Sequence, residues 1–203
     1  LHYPLRRQRQ MCIRDSIGLD YIVDIMGDNG TIASSSAEAR RRDVIAHFNV
    51  AKAVADDRDW LTILIKVGFE PGYHDQPKNS PIFGTADQFG ALDLSGPGTD
   101  FHPDLDVTGH EVVLTKPRIS GFFNTRLQSV LDASNIDRLV IAGVSTTWAV
   151  QATARDAHDR DFATVIVEDA CAASTEESHE QSITMLKSIA MVVKSTSLTM
   201  LRA

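Results

Sequence analysis

Six short runs of mainly apolar residues recur along the chain, with longer segments of mixed polarity between them. Val and Ile dominate these runs, and polar residues do not alternate cleanly with them. This pattern is typical of strands that are buried on both faces of a parallel sheet. The predicted strands are 19–25, 61–67, 111–115, 138–144, 163–169 and 190–195.

Helix patterns fill most of the segments between the runs, with apolar residues recurring at helical spacing on one side. Alternation of strands and helices predicts a three-layer α/β/α sandwich with right-handed crossovers. We therefore expect an α/β fold of Rossmann-like type, with a mainly parallel six-stranded sheet. The predicted helices are Ser36–Asp56, Thr125–Ser134, Thr147–Arg160 and Glu176–Ser188.

One connection, Gly68–Gly109, is much longer than the others and contains five of the seven prolines. A loop of this length without secondary structure is usually a lid or a substrate-binding segment, and a subunit-contact arm is the alternative. Its aromatic side chains either face a ring-containing ligand or pack into the core. They are Tyr73, Phe83, Phe89 and Phe101.

Composition narrows the class of protein. The chain has 203 residues, 43% of them hydrophobic and 23% charged, which suits one globular domain. A formal net charge of −7 argues against nucleic acid or a membrane surface as the main partner. No apolar run approaches the roughly 20 residues that would span a bilayer.

Cysteine usage favours a reducing compartment, and hence the cytoplasm, because Cys12 and Cys171 are too few and too far apart for a disulfide framework. The chain has no spacing of Cys, His or Glu typical of a metal site. We therefore expect neither a metal ion nor another cofactor. Five of the seven histidines are too scattered for a preformed site and are expected to be surface or hydrogen-bonded residues; they are His74, His102, His110, His158 and His179.

Residues 1–16, LHYPLRRQRQMCIRDS, differ from the rest in composition. They are basic and have no continuous apolar stretch, so they do not resemble a secretory signal peptide. We interpret them as a foreign or disordered segment, with a basic targeting arm as the alternative. The predicted domain is then 17–203.

Candidate chemistry lies at the carboxyl ends of the predicted strands, where ligands bind in open parallel sheets. Asp24 ends the first strand, Lys116 ends the third, and the fourth leads into the turn at 144–149. A carboxyl group at the end of a buried strand has a raised pKa unless a cation such as Lys116 lowers it. Backbone N–H groups of the turn can stabilise an oxyanion. The alternative is a buried ion pair that merely closes the sheet edge.

Other polar residues near the strand ends are weaker candidates. Asp169 is expected to orient the turn after the fifth strand, and Cys171 in that turn to be a small buried residue rather than a nucleophile. Arg155 is expected to form a salt bridge. Three aromatic residues either line a substrate pocket or pack into the core; they are Trp148, Phe122 and Phe123.

Several stretches, taken together, resemble the isochorismatase-like, or cysteine hydrolase, superfamily. They are YIVDIMGDN, VVLTKPRISGFFNTRL, GVSTTWAVQATARDAHDRDF and VIVEDACAAS. The resemblance implies an Asp–Lys–Cys triad, with Asp24 and Lys116 as its first two members. It also implies a cis peptide bond, Val144–Ser145, in an oxyanion-binding turn. Dimers or tetramers are usual in this family.

The third triad position falls on Ala149, whose methyl group cannot attack a carbonyl carbon. Met26 and Asn29 also stand where the family often has Gln and Phe, and the metal-binding pattern of nicotinamidases is absent. Three hypotheses follow. The chain is a hydrolase that works by acid-assisted hydrolysis without a covalent thioester, a catalytically inactive relative that keeps the pocket for binding or regulation, or a Cys-to-Ala variant of a C–N amidohydrolase.

Overall fold

A computed structural model describes residues 14–201, which form a six-stranded, all-parallel sheet in the order β3-β2-β1-β4-β5-β6. The sequence prediction of an α/β fold with this type of sheet is confirmed. Predicted strands two and four have the observed bounds, because both faces of these strands are covered. The strands are β1 Arg14–Leu19, β2 Leu61–Val67, β3 Val112–Lys116, β4 Arg138–Val144, β5 Ala163–Ala172 and β6 Met191–Val193.

The strand order reverses at β1, which pairs with β2 on one side and β4 on the other. With right-handed crossovers, the helices that follow β1 and those that follow β4 and β5 lie on opposite faces, giving three layers. The main apolar core fills the space between the sheet and these helices. The helices are α1 Val23–Met26, α2 Ser36–Arg41, α3 Val44–Asp57, α4 Leu127–Ala133, α5 Gln151–His158 and α6 Glu176–Leu186.

The position of β1 corrects the prediction of a first strand at 19–25. The strand ends at Leu19 because Asp20 adopts a left-handed backbone conformation, with φ of 60°. It begins at Arg14, so Asp15 and Ser16, which are buried, belong to the sheet. The expected domain boundary at residue 17 therefore cuts through β1, and the rest of the predicted foreign segment lies outside the described residues.

Two predicted helices are divided in the structure. The helix expected at 36–56 breaks at Asp43, whose left-handed conformation separates α2 from α3. The helix expected at 147–160 opens with a π-helical turn, Thr146–Val150, before α5. This turn follows β4 directly, so its backbone lies at the carboxyl edge of the sheet.

The long connection 68–109 is ordered and has its own small core. It contains two 3₁₀ helices, Ala86–Phe89 and Pro97–Thr99. Phe69 and Phe83 pack edge to face in a second apolar cluster with Leu92. Residues 68–109, called the cover segment below, are thus folded beside the sheet and do not form a structureless loop. Among residues 14–201, no helix has both the length and the apolar character needed to cross a membrane.

Candidate active site

A buried ion pair joins two strand ends at the carboxyl edge of the sheet. Lys116 is the last residue of β3, and its Nζ lies 2.7 Å from Oδ2 of Asp20, the residue after β1. The two residues are 1% and 3% exposed, respectively. The other carboxylate oxygen, Oδ1, accepts a 2.7 Å hydrogen bond from the backbone N–H of Val67. Lys116 also donates to the carbonyl oxygen of Arg118 at 3.2 Å.

Burial dominates the electrostatics of this pair. Removal from water raises the pKa of Asp20 above its ordinary value, and the Lys116 ammonium and the Val67 N–H lower it only in part. The Asp20 carboxyl therefore keeps its proton to a higher pH than an exposed aspartate. Such a group can act as a proton donor at a higher pH than an exposed aspartate.

The predicted place of Asp24 beside Lys116 is wrong. After Asp20 the chain turns away from the strand direction into α1, which carries Asp24. The carboxylate of Asp24 accepts a 2.7 Å hydrogen bond from the backbone N–H of Leu92, and Gly98 packs directly against it. Asp24 thus anchors the cover segment to α1, and it does not line the cavity in front of Lys116.

The turn after β4 forms the third part of the site. The peptide bond between Val144 and Ser145 is cis. Ala149 lies in the π-helical turn and is 3% exposed. The hydroxyl oxygen of Ser145 is buried and has no hydrogen-bond partner among residues 14–201. The turn therefore presents a small apolar side chain and an unused hydroxyl on the same wall.

These three parts meet at one cavity of about 440 Å³. Asp20, Lys116 and Ala149 all line it, as do Val144, Ser145 and the predicted pocket residue Trp148. Sequence reasoning missed most of the other walls, which come from α1 and the segment before α2, from the cover segment, and from the start of α6. These further lining residues include Ile25, Ile32, Ser34, Ser35, Ile82, Ile119, Ser174 and Ser178. Phe83, which the sequence placed either at a ligand or in the core, lines the cavity as well.

The predicted pocket residues Phe122 and Phe123 do not line this cavity. Phe122 is buried between Phe162 and the guanidinium of Arg160. Phe123 is 53% exposed and packs against the guanidinium of Arg118. The chain turns after Lys116, and this turn carries both rings away from the Asp20–Lys116 pair.

The weaker candidates from the sequence, Asp169, Cys171 and Arg155, have contacts or environments that give them structural rather than chemical roles. Asp169 accepts hydrogen bonds from the backbone N–H and hydroxyl of Ser195, at 2.8 and 2.9 Å. Burial raises the pKa of the Cys171 thiol to about 12, which keeps it protonated and unreactive. Arg155 donates to Gln151, and it forms no salt bridge with another residue of 14–201, where one was expected. Within residues 14–201, no three His, Cys, Asp or Glu side chains are grouped to hold a metal ion.

The all-parallel sheet, whose order reverses at β1, defines a doubly wound α/β protein. The cavity with the buried carboxyl–ammonium pair is its candidate ligand site. The isochorismatase domain family matches residues 20–197, and this chain belongs to the isochorismatase family. The chain is 32% identical over 142 residues to the ureidoacrylate amidohydrolase RutB of Klebsiella pneumoniae (strain 342), covering 64% of this chain and 60% of that protein.

Solved structures share the fold over most of their length. An isochorismatase family protein from Desulfovibrio vulgaris superposes with a TM-score of 0.82 at 21% identity, covering 92% of this chain and 96% of that one. N-carbamoylsarcosine amidase from Thermoplasma acidophilum superposes with a TM-score of 0.72 at 22% identity, covering 90% and 96%. The fold assignment therefore rests on solved structures as well as on the sheet topology.

Proposed function

We propose that the chain hydrolyses a small molecule by proton transfer from Asp20, without a covalent intermediate on residue 149. The observation that carries this proposal is the buried Asp20–Lys116 pair, 2.7 Å apart, at the cavity that Ala149 also lines. A carboxyl group with a raised pKa beside a fixed ammonium group suits acid-assisted hydrolysis.

The proposed steps balance for a vinyl ether. Asp20 donates its proton to the terminal alkene carbon, and the electron pair of the double bond forms the new C–H bond. Water then adds to the resulting oxocarbenium carbon and returns a proton to the Asp20 carboxylate. Collapse of the hemiketal gives a ketone and an alcohol, and the Lys116 ammonium stabilises the carboxylate in between.

Ala149 has a definite place in this proposal. Its methyl group cannot form a thioester, and a small side chain leaves room for water or substrate in front of the pair. Ser145 lies in the same turn and also lines the cavity, and its buried hydroxyl has no hydrogen-bond partner within residues 14–201. The turn then orients the reactants while Asp20 moves the proton.

The test compares Asp20, which lines the cavity, with Asp24, which does not. The full chain and its Asp20→Asn and Asp24→Asn variants are assayed against vinyl ethers, primary amides and ureas. We expect turnover by the unaltered chain and a loss of about 100-fold or more in Asp20→Asn. Asp24→Asn should keep activity within a few-fold, because an asparagine oxygen still accepts the Leu92 N–H. Equal turnover by all three proteins would refute the assignment of Asp20.

A second candidate function is a C–N amidohydrolase that has lost its nucleophile. The 32% identical relative is named an amidohydrolase, which favours this possibility. In that case the unaltered chain should turn over no substrate, and Ala149→Cys should restore amide hydrolysis. A pocket that binds ligands while neither protein turns over any substrate would instead indicate the inactive, ligand-binding relative.

Two expectations about the wider context stay predictions. The family resemblance implies a homodimer or homotetramer, and the exposed cover segment is a suitable place for such a contact. Cysteine usage favours the cytoplasm. Light scattering of the purified chain measures the oligomeric state, and a mass equal to one chain would contradict the first expectation.

A further inference from the structure

We infer that the cavity in front of Asp20 and Lys116 selects an uncharged, largely apolar small molecule over one that carries a carboxylate. This inference rests on the proposed function only in taking this cavity as the ligand site. It concerns ligand binding, so it can be tested without any turnover.

The first observation is the character of the walls. Most of the side-chain surface around the cavity is apolar and comes from Ile25, Ile32, Ile82, Phe83, Ile119 and Trp148. Three of these side chains continue the apolar surface out to the mouth: Ile32, Ile82 and Trp148 are 37%, 44% and 53% exposed. A ligand therefore meets apolar surface from the entrance to the interior, where burial of apolar area favours binding.

The second observation is the lack of a free positive charge. Among the described lining residues, Asp20 and Lys116 are the only charged side chains. The Lys116 ammonium already faces the Asp20 carboxylate at 2.7 Å and the Arg118 carbonyl oxygen at 3.2 Å. A carboxylate that entered would lose its hydration and would have to compete with Asp20 for that ammonium.

The remaining polar groups are hydroxyls, which suit a neutral partner. Ser145 contributes a buried hydroxyl that has no hydrogen-bond partner among residues 14–201. Thr147 and Ser174 also line the cavity. A hydroxyl can donate to a carbonyl oxygen and accept from an amide N–H, but it carries no charge to offset a carboxylate. Hydroxyls at these positions suit the polar end of an uncharged ligand.

The experiment uses benzamide and benzoate, which share one ring and differ in charge. Binding of each to the full chain is measured by calorimetry and by quenching of Trp fluorescence, with Trp148→Phe reporting which signal comes from the cavity. We expect benzamide to bind about tenfold or more tightly than benzoate at pH 7. Equal affinities, tighter binding of benzoate, or no binding of benzamide at millimolar concentration would overturn the inference.

A variant that adds a positive charge tests whether the lack of a free cation in the cavity sets the ligand preference. Ile82→Arg places a guanidinium at the mouth, and Val107→Arg is its control because Val107 is 42% exposed on the same segment but outside the cavity. Ile82→Arg should shift the preference toward benzoate by about tenfold, and Val107→Arg should leave it unchanged. Equal shifts in both variants would mean that general surface charge, not the cavity, sets the preference.

Failure of this inference and failure of the proposed function are distinguishable. A chain that selects benzamide but hydrolyses no substrate retains the inference and loses the proposed function. A chain that hydrolyses a carboxylate-bearing substrate with dependence on Asp20, and binds benzoate as well as benzamide, retains the proposed function and loses the inference.

Discussion

The Nδ1 atom of His179 lies 2.9 Å from the hydroxyl oxygen of Thr146, and both side chains are buried. Thr146 opens the π-helical turn that carries Ala149, and His179 belongs to α6, so this contact ties the helix to the turn. Burial, helped by the positive charge of Arg42, lowers the pKa of His179 to about 4. The imidazole is therefore neutral at pH 7.

The lowered pKa of His179 makes stability depend on pH. The unfolded chain takes up the proton near the ordinary histidine value of about 6.5, whereas the folded chain does so only near pH 4. The contribution of His179 is thus complete above pH 6.5 and is lost as the pH falls toward 4. The unaltered chain should lose unfolding free energy between pH 7 and pH 4, and we expect His179→Gln to reduce that loss by roughly 2 kcal/mol. Urea unfolding at the two pH values measures it.

His158→Gln is the matched control, because the side chain of His158 is about half exposed, at 51%. Its unfolding free energy should follow that of the unaltered chain at every pH. If the His179→Gln protein lost as much stability between pH 7 and pH 4 as the unaltered chain, the lowered pKa assigned to His179 would be wrong.

Asp15 is a buried carboxyl group in the middle of the sheet. Neither of its oxygens has a partner with good hydrogen-bond geometry within the part of the chain that the structure describes, and only the backbone N–H of Ser16 offsets its burial in part. Burial raises its pKa well above the ordinary value, so its contribution to stability falls as the pH rises from about 4. We expect Asp15→Val to raise the unfolding free energy at pH 7 by about 1–3 kcal/mol.

The gain should shrink as the pH approaches 4, where the Asp15 carboxyl is protonated in both states. Asp57→Asn, at the exposed end of α3, is the comparison variant and should change stability by less than about 0.5 kcal/mol. Urea unfolding at pH 5 and pH 7 measures both. A loss of stability in Asp15→Val at pH 7 would show that the carboxylate is held by a favourable contact.

Trp148 and Phe123 form a matched pair for testing the cavity, because each is 53% exposed and only Trp148 lines it. Removing the indole takes away part of the apolar wall, so Trp148→Ala should weaken ligand binding about tenfold. Phe123→Ala should leave the dissociation constant unchanged. Calorimetric titration with benzamide measures both, and an equal loss in the two variants would argue against the assigned wall.

Ala149→Cys tests the position at which the family resemblance implies a nucleophile. Its thiol would lie near the Lys116 ammonium and in the turn after β4, and both favour a thiolate. In a Cys12→Ser background, we expect rapid alkylation by iodoacetamide at pH 7 in Ala149→Cys. Little labelling is expected without that change, because the remaining thiol, Cys171, is buried with a raised pKa. Slow labelling of Ala149→Cys would show that the position is not activated.

Much of the sheet is predictable from sequence because central parallel strands are apolar on both faces. β2 and β4 follow this rule, and their bounds match the prediction. β1 does not, because polar Asp15 and Ser16 lie within it and are held in place by backbone pairing on both sides. A pattern of side-chain polarity cannot detect a strand that is fixed by its neighbours.

The same limit of side-chain patterns explains why Asp24, and not Asp20, was predicted beside Lys116. Asp24 follows an apolar run that resembles a strand, but the left-handed conformation of Asp20 ends the strand four residues earlier. The signal that could have found Asp20 is its position directly after the apolar stretch Ile17–Leu19. Lys116 needed no correction, since it lies at the carboxyl end of β3 as expected, although the strand runs one residue later than the predicted 111–115. The walls from the cover segment depend on tertiary packing and leave no sequence pattern.

The Asp20–Lys116 pair should be strongly coupled because it is buried. Lys116→Met leaves the Asp20 carboxylate with the Val67 N–H but no cation, and we expect a loss of about 3 kcal/mol at pH 7. The loss should be smaller at pH 5, because the Asp20 carboxyl, without its cation, is protonated more readily. The double variant Asp20→Asn, Lys116→Met should lose less than the sum of the single losses, with a coupling of about 2 kcal/mol or more.

Lys78 and Asp87 provide the control cycle, because their ion pair has the same 2.7 Å distance but lies at the surface, with side chains 55% and 35% exposed. Solvent screens this pair, so Lys78→Met with Asp87→Asn should give a coupling below about 1 kcal/mol. Urea unfolding of both cycles under one set of conditions makes the comparison direct. If the buried cycle were additive, the Asp20–Lys116 pair would contribute no more than a surface contact, and its proposed catalytic geometry would not be held by the fold.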